Sequence, residues 1–115
     1  MKIFKNNNYL VSIIMNCHNG EKYLKKSLNS VLKQSYKNWE LIFFDNLSTD
    51  KSNFIVQKKI LKDKRIKYFK SKKFLNLYEA RNQAIEKSKG NFICFLDTDD
   101  YWNINKLKIQ IDYIK

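Results

Sequence analysis

The sequence predicts an α/β chain built on an open, mainly parallel sheet with helices on both faces. Three observations carry that reading. Short apolar runs alternate with longer segments of helical period, which is the pattern of strands joined by crossover helices. The connections between them are short, so consecutive strands lie parallel and the crossovers are right-handed. The polar residues able to do chemistry, Asn16 to Asn19, Asp45 with Asn46, and Asp97 to Asp100, each follow an apolar run directly. In such a sheet these positions share one rim, at the carboxyl ends of the strands, where ligands bind.

Leu10-Val11-Ser12-Ile13-Ile14-Met15 reads as the first strand. Asn19-Gly20 punctuates it, and the spacing predicts a helix from about Glu21 to Gln34 with Leu24, Leu28, Val31 and Leu32 on its buried stripe. Trp39 to Phe44 is the second strand and closes at Asp45-Asn46. Ser48-Thr49-Asp50 offers an N-cap for a helix from about Lys51 to Leu61, whose Phe54 and Leu61 share an apolar face. Ile66 to Phe69 is a short third strand. Asn76 with Glu79 three positions on forms a capping-box pattern for a third helix, which runs to about Lys87 and is stopped by Gly90. Asn91 to Leu96 reads as a strand buried on both faces. A last helix, from about Asn105, carries Leu107, Ile111 and Ile114 on one side.

With 115 residues, 43% of them apolar and 15% aromatic, the chain is one globular domain. Residues 1–9 read as an N-terminal extension and 10–115 as the domain. No apolar run approaches the ~20 residues of a membrane span, and Asn6-Asn7-Asn8 interrupts any signal-like core, so a cytoplasmic location is expected, or the inner face of the membrane. Cys17 and Cys94 read as reduced packing residues, since neither has a second Cys or His at metal-ligand spacing. Of 23 basic residues only Arg65 and Arg81 are arginine, against a net charge of +12. Base readers and phosphate forks favour arginine, so nucleic acid is not an expected partner. The lysines read as a solvated surface, with some attraction toward nucleotide phosphates or a peripheral contact with the membrane face.

Asp97, Asp99 and Asp100 place three carboxylates within four positions. Groups this close repel one another and favour protonation or a bound cation. Two readings are open at this point: Asp99 or Asp100 caps the next helix, or the cluster holds a hard cation through oxygen.

Six blocks then carry a resemblance: Val11 to Glu21, Ser30 to Tyr36, Trp39-Glu40-Leu41, Asp45 to Asp50, Ala80-Arg81-Asn82 and Asp97-Thr98-Asp99-Asp100. In that order, from Val11 to about Leu107, the chain resembles the nucleotide-binding half of the family 2 glycosyltransferases. The resemblance implies a Rossmann-like, glycosyltransferase A-type fold, represented by its N-terminal half. It implies a nucleoside-diphosphate-sugar donor, with a UDP-sugar favoured, and Mg²⁺ or Mn²⁺ as cofactor. The reaction it implies is transfer with inversion to a hydroxyl of a glycan or lipid-linked acceptor, in cell-surface polysaccharide or glycan synthesis.

By similarity Asp99 is the metal ligand, and Asp97 faces the ribose or the metal's water shell. Asp45 is placed to accept from the base, and Asn46 stands where the family often has a second aspartate. Cys17 and His18 are positional contacts only, and His18 is not assigned as a general base. Asn19, Glu21 and Thr98 fall in the matched blocks of the nucleotide-sugar site, with Arg81 near phosphate or base. In the family the catalytic base lies in a second half that follows this one, so the chain is expected to be cut short at its C-terminus and no catalytic residue is assigned. Asp112, the one acid after Asp100, is expected to be exposed on a helix. The alternative is a non-catalytic Mg²⁺- or Mn²⁺-dependent nucleotide-binding module, or an inactive truncated fragment.

Overall fold

The structure, a computed structural model, describes residues 8–114. Of the expected N-terminal extension, residues 1–7 lie outside the described residues. The carbonyls of Asn8 and Tyr9 each accept from Asn38 Nδ2 at 3.0 Å.

Strands and helices alternate: β1 (Val11–Cys17), α1 (Glu21–Leu32), β2 (Trp39–Asp45), α2 (Ser52–Lys62), β3 (Ile66–Lys70), α3 (Leu77–Glu86), β4 (Phe92–Phe95) and α4 (Lys106–Ile114). The strands form one parallel sheet in the order β3-β2-β1-β4. Side chains alternate across a strand, so β1 feeds two cores. Val11, Ile13, Met15 and Cys17 meet Leu24, Leu28 and Val31 of α1, Val56 of α2, and Leu107 and Ile111 of α4. Ile14, with Ile42 and Phe44 of β2, meets Ala80 and Ala84 of α3 on the opposite face. Burial on both sides is why Ile13 to Met15 and Leu41 to Phe44 read as unbroken apolar runs. Each fully buried Leu, Ile or Val contributes about 1.5–3 kcal/mol, so the three α1 positions fix that helix on the sheet.

The end of the sheet away from the rim is held by a buried acid. Glu40 is 3% exposed. Its Oε2 accepts from Ser12 Oγ at 2.6 Å and from the Lys89 amide at 2.7 Å, while Oε1 accepts from Lys67 Nζ at 3.0 Å. One carboxylate thus joins β1, β2, β3 and the α3–β4 connection. Burial raises its pKa, but the Ser12, Lys89 and Lys67 hydrogen bonds and the Lys67 charge outweigh that and hold it below the ordinary glutamate value.

The capping box forms as the sequence predicts, with Asn76 Oδ1 accepting from the Glu79 amide at 2.8 Å and Glu79 Oε1 from the Asn76 amide at 3.3 Å. Elsewhere the structure corrects the sequence. The strand expected to be buried on both faces is an edge: among the described residues β4 has no neighbour beyond it, and Ile93 and Phe95 are 41% and 46% exposed. The physical reason is strand order, since α3 lies over β1 and β2 and reaches the outer strand only through Arg81 beside Phe95. Phe54 and Leu61 share a face of α2 as expected, and that face is the exposed one (59% and 78%), while Val56 enters the core. Ile114 also stands in solvent, beside a buried Leu107 and Ile111. Gly90 does not stop α3, which ends at Lys87 in right-handed backbone. Instead it lies against β1, where a Cβ would sit 2.4 Å from Ser12 Oγ and 2.8 Å from the Leu10 carbonyl.

α1 ends at Leu32, before the expected Gln34, whose side chain ties the helix end to the loop before α4. Fully buried, it donates from Nε2 to the carbonyls of Ser30 (3.2 Å) and Asn103 (2.7 Å), and Oε1 accepts from the Leu107 amide at 3.1 Å. α4 and the loop before it are thereby fixed to the end of α1.

Candidate functional site

Strand order reverses at β1, with β2 and β3 on one side and β4 on the other, so the carboxyl ends of β1 and β4 flank the switch point of the sheet. Three loops meet there. The first two are strapped together by short-range geometry. The Asn46 amide donates to the Cys17 carbonyl at 2.7 Å, extending the β1–β2 pairing by one bond. Asn19, in left-handed backbone (φ 56°), accepts at Oδ1 from the amides of Thr49 (2.7 Å) and Asp50 (3.3 Å). Asparagine tolerates that conformation better than most residues. Glu21 Oε1 accepts from the Lys51 amide at 3.0 Å, and the Glu21 amide donates to Asp50 Oδ2 at 3.0 Å. The Gly20 amide donates to Ser52 Oγ at 3.0 Å.

The third loop closes on the same glycine. A Cβ at Gly20 would lie 2.8 Å from Thr98 Oγ1 and 3.2 Å from Cys17 Sγ, so the acid turn reaches the first loop only because that atom is missing. Asp100 donates its amide to the Asp97 carbonyl at 3.1 Å, which makes residues 97–100 a turn, and Ser27 Oγ of α1 donates to the same carbonyl at 3.3 Å. α4 begins only at Lys106, and its approach is capped by Asn103 Oδ1, which accepts from the Asn105 amide at 2.9 Å. The aspartates therefore do not cap that helix.

Asp97 and Asp99 are exposed, and among the described residues neither carboxylate has a hydrogen-bond or ion-pair partner. Among the same residues no group of three His, Cys, Asp or Glu side chains gathers to hold a metal. A hard cation such as Mg²⁺ takes one or two carboxylates and fills its remaining positions with water and substrate phosphates. The pair fits that donor set.

Asp45 is buried, with Oδ1 accepting from the Ser48 amide at 2.9 Å and Oδ2 from the Tyr68 hydroxyl at 2.5 Å. Burial pushes the Tyr68 hydroxyl well up, and the Asp45 hydrogen bond and charge push it further, so it stays protonated and donating. Asn46 is also committed: Nδ2 donates to the Leu75 carbonyl at 2.8 Å and Oδ1 accepts from the Leu75 amide at 2.9 Å. His18 packs edge-on against Phe74 (4.9 Å between centroids) and Nδ1 lies 2.8 Å from the Asn46 carbonyl, which can only accept. Nδ1 thus carries the proton. Burial raises the pKa of the Cys17 thiol, with the Ser52 and Ser48 hydroxyls and the Gly20 amide offsetting part of it. Arg81 of α3 lies 5.1 Å from the ring centre of Phe95, at the carboxyl end of β4. Among the described residues Asn16 Nδ2, buried near the end of β1, has no hydrogen-bond partner, an unmet donor costing about 1–3 kcal/mol.

The structure thus brings Cys17, His18, Asn19, Glu21, Asp45 and Asn46 into one strapped group, with Thr98 against it and Arg81 at the adjoining strand end. Sequence reasoning did not single out Gly20, Ser48, Ser52, Tyr68 or Phe74. For Gly20 a signal exists: the chain has two glycines, and both sit where a Cβ would collide.

The four parallel strands with helices on both faces superpose on solved glycosyltransferases of the A-type fold, the crystal structure of S. aureus TarS 1-349 with a TM-score of 0.84 at 32% identity. Residues 12–115 match the profile of Glycosyl transferase family 2, and the chain belongs to that family. It is 46% identical over 103 residues to the UDP-Glc:alpha-D-GlcNAc-diphosphoundecaprenol beta-1,3-glucosyltransferase WfgD of Escherichia coli, covering 90% of this chain and 40% of that protein. It is 36% identical to the putative teichuronic acid biosynthesis glycosyltransferase TuaG of Bacillus subtilis, covering 91% and 42%. The crystal structure of S. aureus TarS 1-349 in complex with UDP-GlcNAc superposes with a TM-score of 0.83 at 32% identity, over 90% of this chain and 30% of that one. The chain thus spans about two-fifths of the length of these two curated relatives.

Proposed function

We propose that this chain binds a nucleoside-diphosphate sugar, a UDP-sugar, at the carboxyl rim. In this reading it belongs to an enzyme that passes the sugar with inversion to a hydroxyl of a lipid-linked or glycan acceptor in cell-surface polysaccharide synthesis. The observation that carries the reading is the closure of the acid turn onto Gly20, which sets two unpartnered carboxylates beside the strapped loops at the switch point. The names of WfgD and TuaG and the UDP-GlcNAc complex of TarS support the choice of donor and of process.

Asp99, with Asp97 beside it, would hold Mg²⁺ or Mn²⁺, which supplies charge neutralisation to a departing diphosphate. Arg81 offers a second positive charge near the end of β4. The unmet Asn16 amide offers a donor to base, ribose or phosphate. Asp45 acts mainly through Ser48 and Tyr68, setting the shape of the nucleotide's seat.

Titration calorimetry with UDP, with and without Mn²⁺, tests this. Binding is expected to need the metal. Asp99→Asn should lower the metal-dependent affinity by about ten- to a hundred-fold, the worth of one charge-assisted contact, and leave the urea midpoint unchanged. Unchanged affinity in that variant would sink the reading. One observation favours a narrower role for these 115 residues, as a nucleotide-binding module only. Asp112, the one acid beyond the turn, lies half exposed on α4 in an ion pair with Lys108 at 3.1 Å, a position that does not mark it as an acceptor base. Nucleotide binding without transfer to any acceptor would support the module.

A further inference from the structure

Phe54 and Leu61, which share one face of α2, stand in solvent among lysines. On α2, Phe54, Lys58, Leu61 and Lys62 form one exposed stripe at spacings of three and four. On α1, the neighbouring helix, Lys22, Lys25, Lys26 and Lys33 form a second. The stripes adjoin: Lys59 Nζ crosses from α2 to donate to Asn29 Oδ1 of α1 at 2.5 Å, and a groove between them is lined by Lys25, Phe54, Leu61 and Lys62. Toward the rim the surface continues to Tyr101, whose ring lies 3.9 Å from Lys26 Nζ. The only acid on either helix is Glu21, at the first turn and bonded to the Lys51 amide. The pKa of Lys59 is lowered by burial and then by Lys62, Lys25 and Lys33, so the amines of the two stripes feel one another with no carboxylate between them.

We propose that this α1–α2 face docks on the surface of an anionic phospholipid bilayer. Lysines with interleaved Phe and Leu on one helical face suit that surface: the ammonium groups meet lipid phosphates and the apolar side chains enter the acyl boundary. A nucleic-acid backbone has no use for an exposed Leu61 or Phe54, and neither helix carries an arginine to fork a phosphate. No helix of the described residues is long and apolar enough to cross a membrane, so the contact is peripheral. The proposal is independent of sugar transfer, and its failure would leave the donor site untouched.

The test is co-sedimentation of the 115-residue chain with phosphatidylcholine vesicles with and without phosphatidylglycerol. Binding is expected only with phosphatidylglycerol and should weaken as salt rises. Lys25→Ala/Lys58→Ala/Lys62→Ala should lower the partition coefficient by about five-fold per lysine. Phe54→Ser/Leu61→Ser should remove the binding that survives high salt. The control Lys70→Ala/Lys72→Ala/Lys73→Ala removes the same charge from exposed positions away from the face and should change the partition far less. Circular dichroism checks that each variant is folded. Equal loss in the control would reduce the effect to net charge and overturn the proposal. Absence of vesicle binding, or duplex binding that the face variants abolish while vesicles stay free, would overturn it in favour of no lipid role or a nucleic-acid surface.

Discussion

Gly20 and Glu40 hold opposite ends of the sheet, and each exposes a different kind of constraint. Gly20 acts through a missing atom: Thr98 Oγ1 and Cys17 Sγ occupy the space around its absent Cβ. Gly20→Ala must push the acid turn or the Cys17 loop aside, at a cost of about 1–3 kcal/mol, as for overpacking in a filled core. Urea unfolding should show that loss, and calorimetry should show weaker UDP binding, because the displaced turn carries Asp97 and Asp99. Glu40 acts through its charge. Its folded pKa lies below the ordinary 4.5, so its contribution is complete above that value and is lost as the pH falls through the folded pKa. Urea midpoints measured across the acid range should therefore fall more steeply for the parent than for Glu40→Gln. At neutral pH that variant should be less stable by about 1–3 kcal/mol, since the amide puts a donor where Ser12, Lys89 and Lys67 already donate.

At the scale of elements, the clamp by Gln34 makes α4 and the loop before it depend on the end of α1. Gln34→Ala leaves the Leu107 amide and the Asn103 carbonyl without their side-chain partner and should cost about 2 kcal/mol. Hydrogen exchange should quicken at residues 103–107 and stay slow in β1 and β2. Element order, the parallel sheet and the cap at Asn76 were legible because each rests on local residues: apolar runs, short connections, and an asparagine three positions before a glutamate. What the sequence hid depends on neighbours far along the chain. An apolar run such as Asn91 to Leu96 looks the same in the centre of a sheet and at its edge, and only strand order separates the two. In α2, five apolar residues, Phe54, Ile55, Val56, Ile60 and Leu61, are spread round the helix, so the period alone does not say which of them faces β3 and α1. The candidate site was legible as a rim with an acid turn. That Asp45 and Asn46 are occupied by Tyr68 and Leu75 was not, because both partners come from loops and strands more than twenty positions away.

For the whole molecule, two surface features oppose each other. Among the described residues β4 presents an unpaired edge with Ile93 and Phe95 exposed, and no proline or lysine within the strand protects it. A net charge of +12 keeps copies apart at low ionic strength. Salt shortens the screening length from about 10 Å at 0.1 M to about 3 Å at 1 M, so sedimentation should show self-association rising with salt. Ile93→Lys should suppress it without lowering stability. The ties of β4 to the rest are long in another sense. Gly90 donates to Ser12 across 78 positions, and the Leu10 amide donates to Asn91 across 81. β1, α1 and β2 can assemble from their own neighbours, but β4, which leads into the acid turn, can pair with β1 only after about eighty further residues have been laid down. A nascent chain still short of residue 92 would already hold the strapped loops of the rim, without the acid turn that closes on Gly20.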